Sequence, residues 1–301
     1  MALIATTTTF FAVAQPADGA AAAACAPTDA VPRVLGVTAQ DVTFTRSSRG
    51  FTEQAARVTV QNACGGTSSY ECSSDPATSC TGLQLQFRRS GQVGAAARYC
   101  SHRASTEDAG SGTGPVATSR PDVYDYPLSK SWSFEASDAT EQPAITNACA
   151  GPWDIVATPW NATRIGGTYS TTHGEPFVAK AVFSLFRGSR LTADASPEPV
   201  RRGATVTVRG RLTRQAMAPN RLSTGANTDR YVGFGGESVV LQRRTLSGTY
   251  TDLRTVRSTR EGYLTTKLKA LPQDRCYRWL YRGSDTTLPV TAGGDCVHVR
   301  R

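Results

Sequence analysis

The eight cysteines are the residues of this sequence with the greatest capacity for covalent chemistry, and their spacing favours disulfide bonds. No two of them form a Cys-x-x-Cys pair, and the chain has only three histidines, so a zinc site is not indicated. An even number of cysteines in a chain with few helical signals is typical of an oxidising compartment. The disulfide candidates are Cys25, Cys64, Cys72, Cys80, Cys100, Cys149, Cys276 and Cys296.

The last two cysteines define one bridge. Cys276 and Cys296 are the only cysteines after Cys149, and both lie in strand-like stretches. A return of the chain between them would bring their Cα atoms within disulfide range. We therefore predict that these two pair, whereas the connectivity of the six earlier cysteines stays open.

Catalytic and metal-binding patterns are absent from the sequence. His173 lies in a loop with serine and threonine neighbours, but nothing nominates a carboxylate to orient it and no G-x-S-x-G elbow occurs. The densest acidic loops contain Asp122 and Asp125 in one case, and Glu107 and Asp108 in the other. Neither loop has the spacing of a calcium-binding EF-hand. We expect no enzyme, no cofactor and no metal site, with Asp122 and Asp125 as the nearest metal candidates.

The net charge of +9 is concentrated in the second half of the chain. Residues 190–301 carry 20 Lys/Arg and 9 Asp/Glu, a net +11, whereas residues 25–189 carry 13 and 14. This polarity predicts attraction to an anionic polymer such as teichoic acid or acidic polysaccharide. The competing interpretation is a solvated arginine-rich face that keeps the sandwich soluble and its edges unpaired. The alternation favours it, because arginine occupies outward strand positions that need a polar residue anyway. No nucleic-acid partner is expected, because no recognition motif is present. The candidate contacts are Arg201, Arg202, Arg243, Arg244, Arg254 and Arg257.

The stretch CYRWLYR at 276–282 has an aromatic row on one face. Tyr277, Trp279 and Tyr281 alternate with Cys276, Arg278 and Leu280, so in a strand the two sets point to opposite sides. Together with Trp153 and Trp160, the aromatic side chains could stack on a sugar. A buried core row is the favoured interpretation.

Period-two alternation dominates both halves of the chain. The clearest strands are at 204–212, 238–244, 264–268 and 275–281, separated by turn signals such as Ser247-Gly248 and Gly293-Gly294. No segment between residues 25 and 189 has a sustained helical period. The pattern predicts an all-β protein of two antiparallel, immunoglobulin-like β-sandwich domains, at 25–189 and 190–301.

The N-terminal stretch has the composition of an export signal. Residues 2–13 are apolar or threonine, and an alanine run at 20–24 resembles a cleavage site, so residues 1–24 are predicted to be a signal peptide. Lipidation of Cys25 is the alternative, disfavoured because it would leave seven cysteines. No later stretch approaches the roughly 20 apolar residues of a membrane span. We expect a secreted, extracellular protein.

Several stretches of the second half resemble one known domain type. They are ASPEPVRRGATVTVRGRLTR at 195–214, SVVLQRR at 238–244, YTDLRTVRSTREGYLTTKLKA at 250–270, CYRWLYRGSDTT at 276–287 and GDCVHVR at 294–300. Together they resemble the C-terminal immunoglobulin-like domain of small secreted actinobacterial proteins with tandem β-sandwiches, often uncharacterised or loosely labelled calcium-binding. The six cysteines of the first half depart from the family's pattern. The resemblance implies fold and export, and it implies no catalytic residues.

These observations favour a non-catalytic binding or structural module of the cell envelope or extracellular space. Its basic second domain is expected to engage an anionic cell-wall polymer or polysaccharide. The alternative is a secreted hydrolase or inhibitor whose site is formed by the long loops of the first domain.

Overall fold

The computed structural model describes residues 31–44, 51–63, 79–92, 100–105, 115–120, 122–133, 147–165, 168–217 and 231–300. Within these ranges the chain is nearly all β, and the only helical segment is a single 3-10 turn at Asn147–Cys149. The all-β prediction is therefore confirmed. In the same ranges, no helix has the length and apolar character needed to cross a membrane. The predicted signal peptide lies outside the described residues.

The first half of the chain forms two sheets. Its strands are β1 (Arg33–Ala39), β2 (Val42–Thr43), β3 (Phe51–Gln61), β4 (Ser79–Arg89), β5 (Ser101–Ser105), β6 (Val116–Ala117), β7 (Val123–Ser133), β8 (Gly151–Ile165), β9 (Thr168–His173) and β10 (Phe177–Phe186). One sheet has the order β1-β3-β7-β6; the other has the order β2-β10-β8-β4-β5, with β9 paired to β8. Every pairing is antiparallel except the short one between β2 and β10.

Alternate residues of these sheets build one core. Val58 and Val60 of β3 are fully buried, as are Leu83 of β4 and Trp153 and Ile155 of β8. Because the buried cluster draws on both sheets, the sheets face each other in the manner of a β-sandwich. The indole N–H of Trp153 donates to the carbonyl of Cys149 at 2.8 Å, so this buried donor has a hydrogen-bond partner inside the core.

The second half also forms two main sheets. Its strands are β11 (Ser189–Leu191), β12 (Asp194–Ser196), β13 (Val200–Arg201), β14 (Thr205–Gln215), β15 (Tyr231–Gly233), β16 (Ser238–Arg244), β17 (Thr251–Arg257), β18 (Tyr263–Lys269), β19 (Arg275–Tyr281), β20 (Val290–Thr291), β21 (Asp295–Val297) and β22 (Val299–Arg300). In one sheet, β14 pairs with β11, β12, β15 and β18; in the other, β16 lies between β17 and β19, and β19 also pairs with β20 and β21. A parallel pair of β13 and β22 completes the fold.

The aromatic row of β19 lies in the core between these two sheets. Tyr277, Trp279 and Tyr281 are all buried, and Trp279 is 0% exposed. The indole N–H of Trp279 donates to the carbonyl of Arg209 on β14 at 3.0 Å, so one side chain ties the two sheets together. Gly210 makes this approach possible, because a Cβ at that position would lie 2.6 Å from Cδ1 of Trp279. The favoured interpretation of the row as core therefore agrees with the structure.

Two disulfides lie within the described residues. Cys276 on β19 and Cys296 on β21 are directly opposite each other in the ladder and are bonded, which confirms the predicted pair. Cys100 is bonded to Cys149, which packs in the core of the first half. The pairing of the remaining four, Cys25, Cys64, Cys72 and Cys80, falls outside what the structure describes.

The buried residues divide into two large clusters that meet at a junction. The first cluster is built mainly from residues between 34 and 185, the second from residues between 191 and 297. Met217, just beyond β14, is an exception because it packs in the first cluster, and its amide donates to Oδ1 of Asn147 at 2.7 Å. The backbone of Arg187 pairs with Thr286 and Leu288. The two halves are thus connected by packing and hydrogen bonds as well as by the chain.

Candidate functional site

The outward face of the β14–β18 pair carries four exposed cations. Val206 and Val208 of β14, and Leu264 of β18, point into the core and are buried. The alternate positions therefore point to solvent. On β14 they are Thr205, Thr207, Arg209 and Arg211, and on β18 they are Tyr263, Thr265, Lys267 and Lys269.

The strand register arranges these side chains in a regular pattern. The opposed pairs are Thr205 with Lys269, Thr207 with Lys267, Arg209 with Thr265, and Arg211 with Tyr263. Each pair combines one cation with one hydroxyl. Successive pairs on one face are about 7 Å apart, so the four cations follow a line of about 20 Å. We call Arg209, Arg211, Lys267 and Lys269 the cation row.

The cation row is not neutralised by the protein. None of its members belongs to an ion pair among the described residues. Asp194 on β12 is opposite Arg209 in the ladder but does not come within ion-pair distance. Arg211 lies 5.0 Å over the ring of Tyr263, which is 51% exposed, and its Nε donates to the carbonyl of Glu261. The row therefore presents its charge to the solvent.

The outer face of the opposite sheet is also basic, but its charges are occupied. Arg278 donates through Nε to Oε1 of Gln242 at 2.8 Å, and the Gln242 amide donates to Oδ1 of Asp252 at 2.7 Å. The other oxygen of Asp252 is 2.8 Å from the guanidinium of Arg282. The ring of Tyr250 is 3.9 Å below the Arg278 guanidinium. These side chains satisfy one another's hydrogen bonds and ion pairs, so less of their positive charge is left for a ligand.

The six arginines nominated from the sequence do not converge on one site. Arg201 ends β13 beside the C-terminal strand β22, Arg202 begins the turn that follows, and both are exposed. Arg244 and Arg257 lie at opposite ends of the β16–β17 pair, about 20 Å apart by strand rise. Adjacent strand residues point to opposite faces, so a doublet such as Arg243-Arg244 cannot serve a single face.

Three of the nominated arginines are engaged in the fold. Arg254 donates to the hydroxyl of Thr266 on β18 at 3.3 Å, and Arg257 donates to the carbonyl of Gly236 at 3.0 Å. Arg244 donates to the carbonyl of Leu246 and lies 5.0 Å over the ring of Tyr250. Sequence adjacency of arginines therefore misses the cation row. Period two applied to charge, in TVTVRGR and YLTTKLK, is the signal that finds it.

Asp122 and Asp125 are held by donors from β3. Asp125 accepts from the hydroxyl of Thr59 at 2.6 Å and from Arg57 at 3.2 Å, and Asp122 accepts from the Gln61 amide at 3.0 Å. These contacts give the two carboxylates a cross-strand structural role. Across the described ranges, no group of three His, Cys, Asp or Glu residues could hold a metal ion. Glu107 and Asp108 lie outside those ranges.

One histidine has a carboxylate partner, and the pair is exposed. Nδ1 of His298 is 2.9 Å from Oδ2 of Asp274, and the side chain of His298 is 66% exposed. The other Asp274 oxygen accepts from the amide of Val299, which lowers the pKa of Asp274, with the contact to His298 as the second cause. The hydrogen bond to Asp274 raises the pKa of His298. The pair fastens the C-terminal strand to the start of β19. His173 is exposed at the end of β9.

The chain was compared with protein-family models and with curated proteins. No protein-family model matches it, and no curated protein matches it.

Proposed function

We propose that this protein is a secreted, non-catalytic binding module that engages a linear anionic polymer through the cation row. The observation that carries the proposal is one unneutralised cation in each of four successive cross-strand pairs. The immunoglobulin-like character of the two domains and the likeness to exported actinobacterial proteins are parts of the same proposal. The two internal disulfides support export.

The shape of the face favours a polymer over a small ligand. The row lies on an open sheet surface, so each cation can make only a partly solvated contact, worth about 0.2–1 kcal/mol. Useful affinity then requires several contacts made together by one molecule. The hydroxyl beside each cation supplies a hydrogen bond to a phosphate or sugar oxygen. A teichoic acid or an acidic polysaccharide has the repeated charge that such a row fits.

Binding of the full chain to a poly(glycerol phosphate) teichoic acid and to polygalacturonate tests the proposal. Fluorescence anisotropy with labelled polymer should show binding at low salt. The affinity should fall steeply above roughly 0.15 M salt, where the screening length is about 8 Å. Salt-independent binding, or binding of neither polymer, would contradict the proposal. A preference between the two polymers identifies the anion.

Two charge-matched double variants locate the contact. K267E/K269E reverses two cations of the row, and R201E/R202E makes the same change in net charge at the end of β13. At about 0.2–1 kcal/mol per contact, with repulsion added, the first should weaken polymer binding by roughly tenfold or more. The second should change it by less than about threefold. Equal losses would show that only net charge matters.

A further inference from the structure

The junction between the two halves contains a buried guanidinium without an acidic partner. Arg187 is 2% exposed. Its Nε donates to the carbonyl of Gln215 at 2.6 Å, and its backbone is held between Thr286 and Leu288. Among the described residues, no carboxylate lies within ion-pair distance of it. Buried charges are ordinarily paired, because removing a charge from water is costly.

A second arginine adds to the positive charge of the junction. Arg214 is two residues beyond buried Leu212 on the inward side of β14, and its guanidinium lies 4.0 Å over the ring of Phe234. Burial is the main cause that lowers the pKa of Arg187 to about 10, and the nearby charge of Arg214 is the second cause. Glu237 attracts Arg214 without forming an ion pair with it. One acid near two guanidiniums leaves a net positive charge.

The hydrogen-bonding capacity of this region is also unmet. Nε of Arg214 and the hydroxyl of Tyr281 are buried, and neither has a hydrogen-bond partner at ordinary geometry. Burial is the main cause that raises the pKa of Tyr281. Ser284, which lowers this pKa, and Glu237, which raises it, act on the hydroxyl as hydrogen-bonding neighbours, but neither meets hydrogen-bond geometry. The ring of Phe234 that contacts Arg214 also packs edge-on against Tyr281, with centroids 5.7 Å apart. Buried polar atoms without partners are uncommon in native proteins, and a bound ion is one of the explanations for them.

The geometry points to a binding site for a small oxyanion, such as phosphate, sulfate or a carboxylate, held by Arg187, Arg214 and Tyr281. Planar guanidiniums present paired donors that match the oxygens of such anions. This site is distinct from the cation row, because Arg214 is on the inward side of β14 and the row is on its outward side. An anion bound here would stabilise the junction by neutralising the mutual repulsion of the two arginines.

Thermal unfolding of the full chain tests the site, with inorganic phosphate as the probe. The protein is first exchanged into a chloride buffer, and phosphate is then added at constant ionic strength. Tm should rise saturably by several degrees, as expected when a ligand binds only the folded state. No shift at tens of millimolar phosphate would overturn the proposal. The same Tm titration with acetate and with sulfate then shows whether the site distinguishes anions by their charge or by their geometry.

Two variants separate this site from other basic surfaces. Y281F removes a hydroxyl that completes no hydrogen bond within the protein, so the fold is expected to persist while the phosphate response weakens. R214Q should abolish the response, and its Tm without phosphate should not fall, because repulsion with Arg187 is relieved. R278Q, on the outer face of the other sheet, serves as control and should keep the full response. A response that persists in Y281F and R214Q, or one lost in K267E/K269E, would refute the site.

Discussion

Asp274 holds the side chain of His298 and the backbone of Val299 at the same time. The raised pKa of His298 means that the charged pair stabilises the fold below the ordinary histidine value of 6.5, and that this contribution is lost as the pH rises through the raised pKa. The lowered pKa of Asp274 sets the lower end of the pH range. The stability contributed by its carboxylate is present above pH 3.8 and is lost as the pH falls through the lowered pKa. The Asp274–His298 ion pair therefore contributes to the stability of the fold under mildly acidic conditions.

The two pKa shifts predict how an H298Q variant behaves. The Tm difference between the native protein and H298Q should be largest near pH 5 and should shrink by pH 8.5. H173Q, which changes an exposed histidine at the end of β9, is the control and should show no such dependence. A difference that grows towards pH 8.5 would contradict the assigned pair.

Strands β19 and β21 are joined by the Cys276–Cys296 disulfide as well as by their ladder. The bridge closes a loop with a sequence separation of 20 residues. Loss of this constraint should cost about 3 kcal/mol through the entropy of the unfolded chain. That is a large share of the roughly 5–15 kcal/mol that stabilises a typical domain.

The double variant C276A/C296A should therefore unfold at a lower denaturant concentration in its second half. Hydrogen exchange followed by mass spectrometry would show faster exchange in β16 and β19. Exchange in β8 should change much less than exchange in β16 and β19, which makes the first half an internal reference. Peptide mapping without reduction gives a direct check, and a fragment joining Cys276 to any cysteine of the first half would disprove the pairing.

The strands could be predicted from sequence because alternation reports which residues face the core. Trp279 and its neighbours on β19 follow that rule, as do Val206 and Val208 on β14. The pairing of the strands and its register could not be predicted, because period two leaves open which strand lies beside which. The cation row depends on that pairing, which places Arg209 opposite Thr265 and Lys267 opposite Thr207. Each strand of the site could therefore be predicted from the sequence, but the site itself could not, because it depends on how the strands pair.

The halves of the molecule share more than a peptide link. Met217 follows β14 of the second half, yet it is 2% exposed within the core of the first half. Its position was not predictable from local pattern, because the sequence around it gives no sign of a return to the first half. A division of the chain near residue 190 therefore separates Met217 from the core in which it packs.

An M217A variant measures this connection. Truncation of a buried methionine costs about 2–5 kcal/mol, and the loss should fall on the first half. Faster hydrogen exchange is expected in β3 and β8, although the substitution lies beyond β14. L246A, which truncates a side chain that is 51% exposed, is the control and should have little effect. Destabilisation confined to β14 and β18 would show that the halves are energetically separate.

If the chain binds a linear polyanion as proposed, the row of four similar cations also has a consequence for motion. A linear polyanion that moves by one cross-strand pair, about 7 Å, exchanges one end contact and keeps the others. A long polymer therefore has many nearly equivalent alignments on the β14–β18 face, whereas a tetramer of charges has one. The number of alignments makes binding stronger with polymer length even after all four cations are occupied. Under the proposed function, the protein could then slide along the polymer without leaving it.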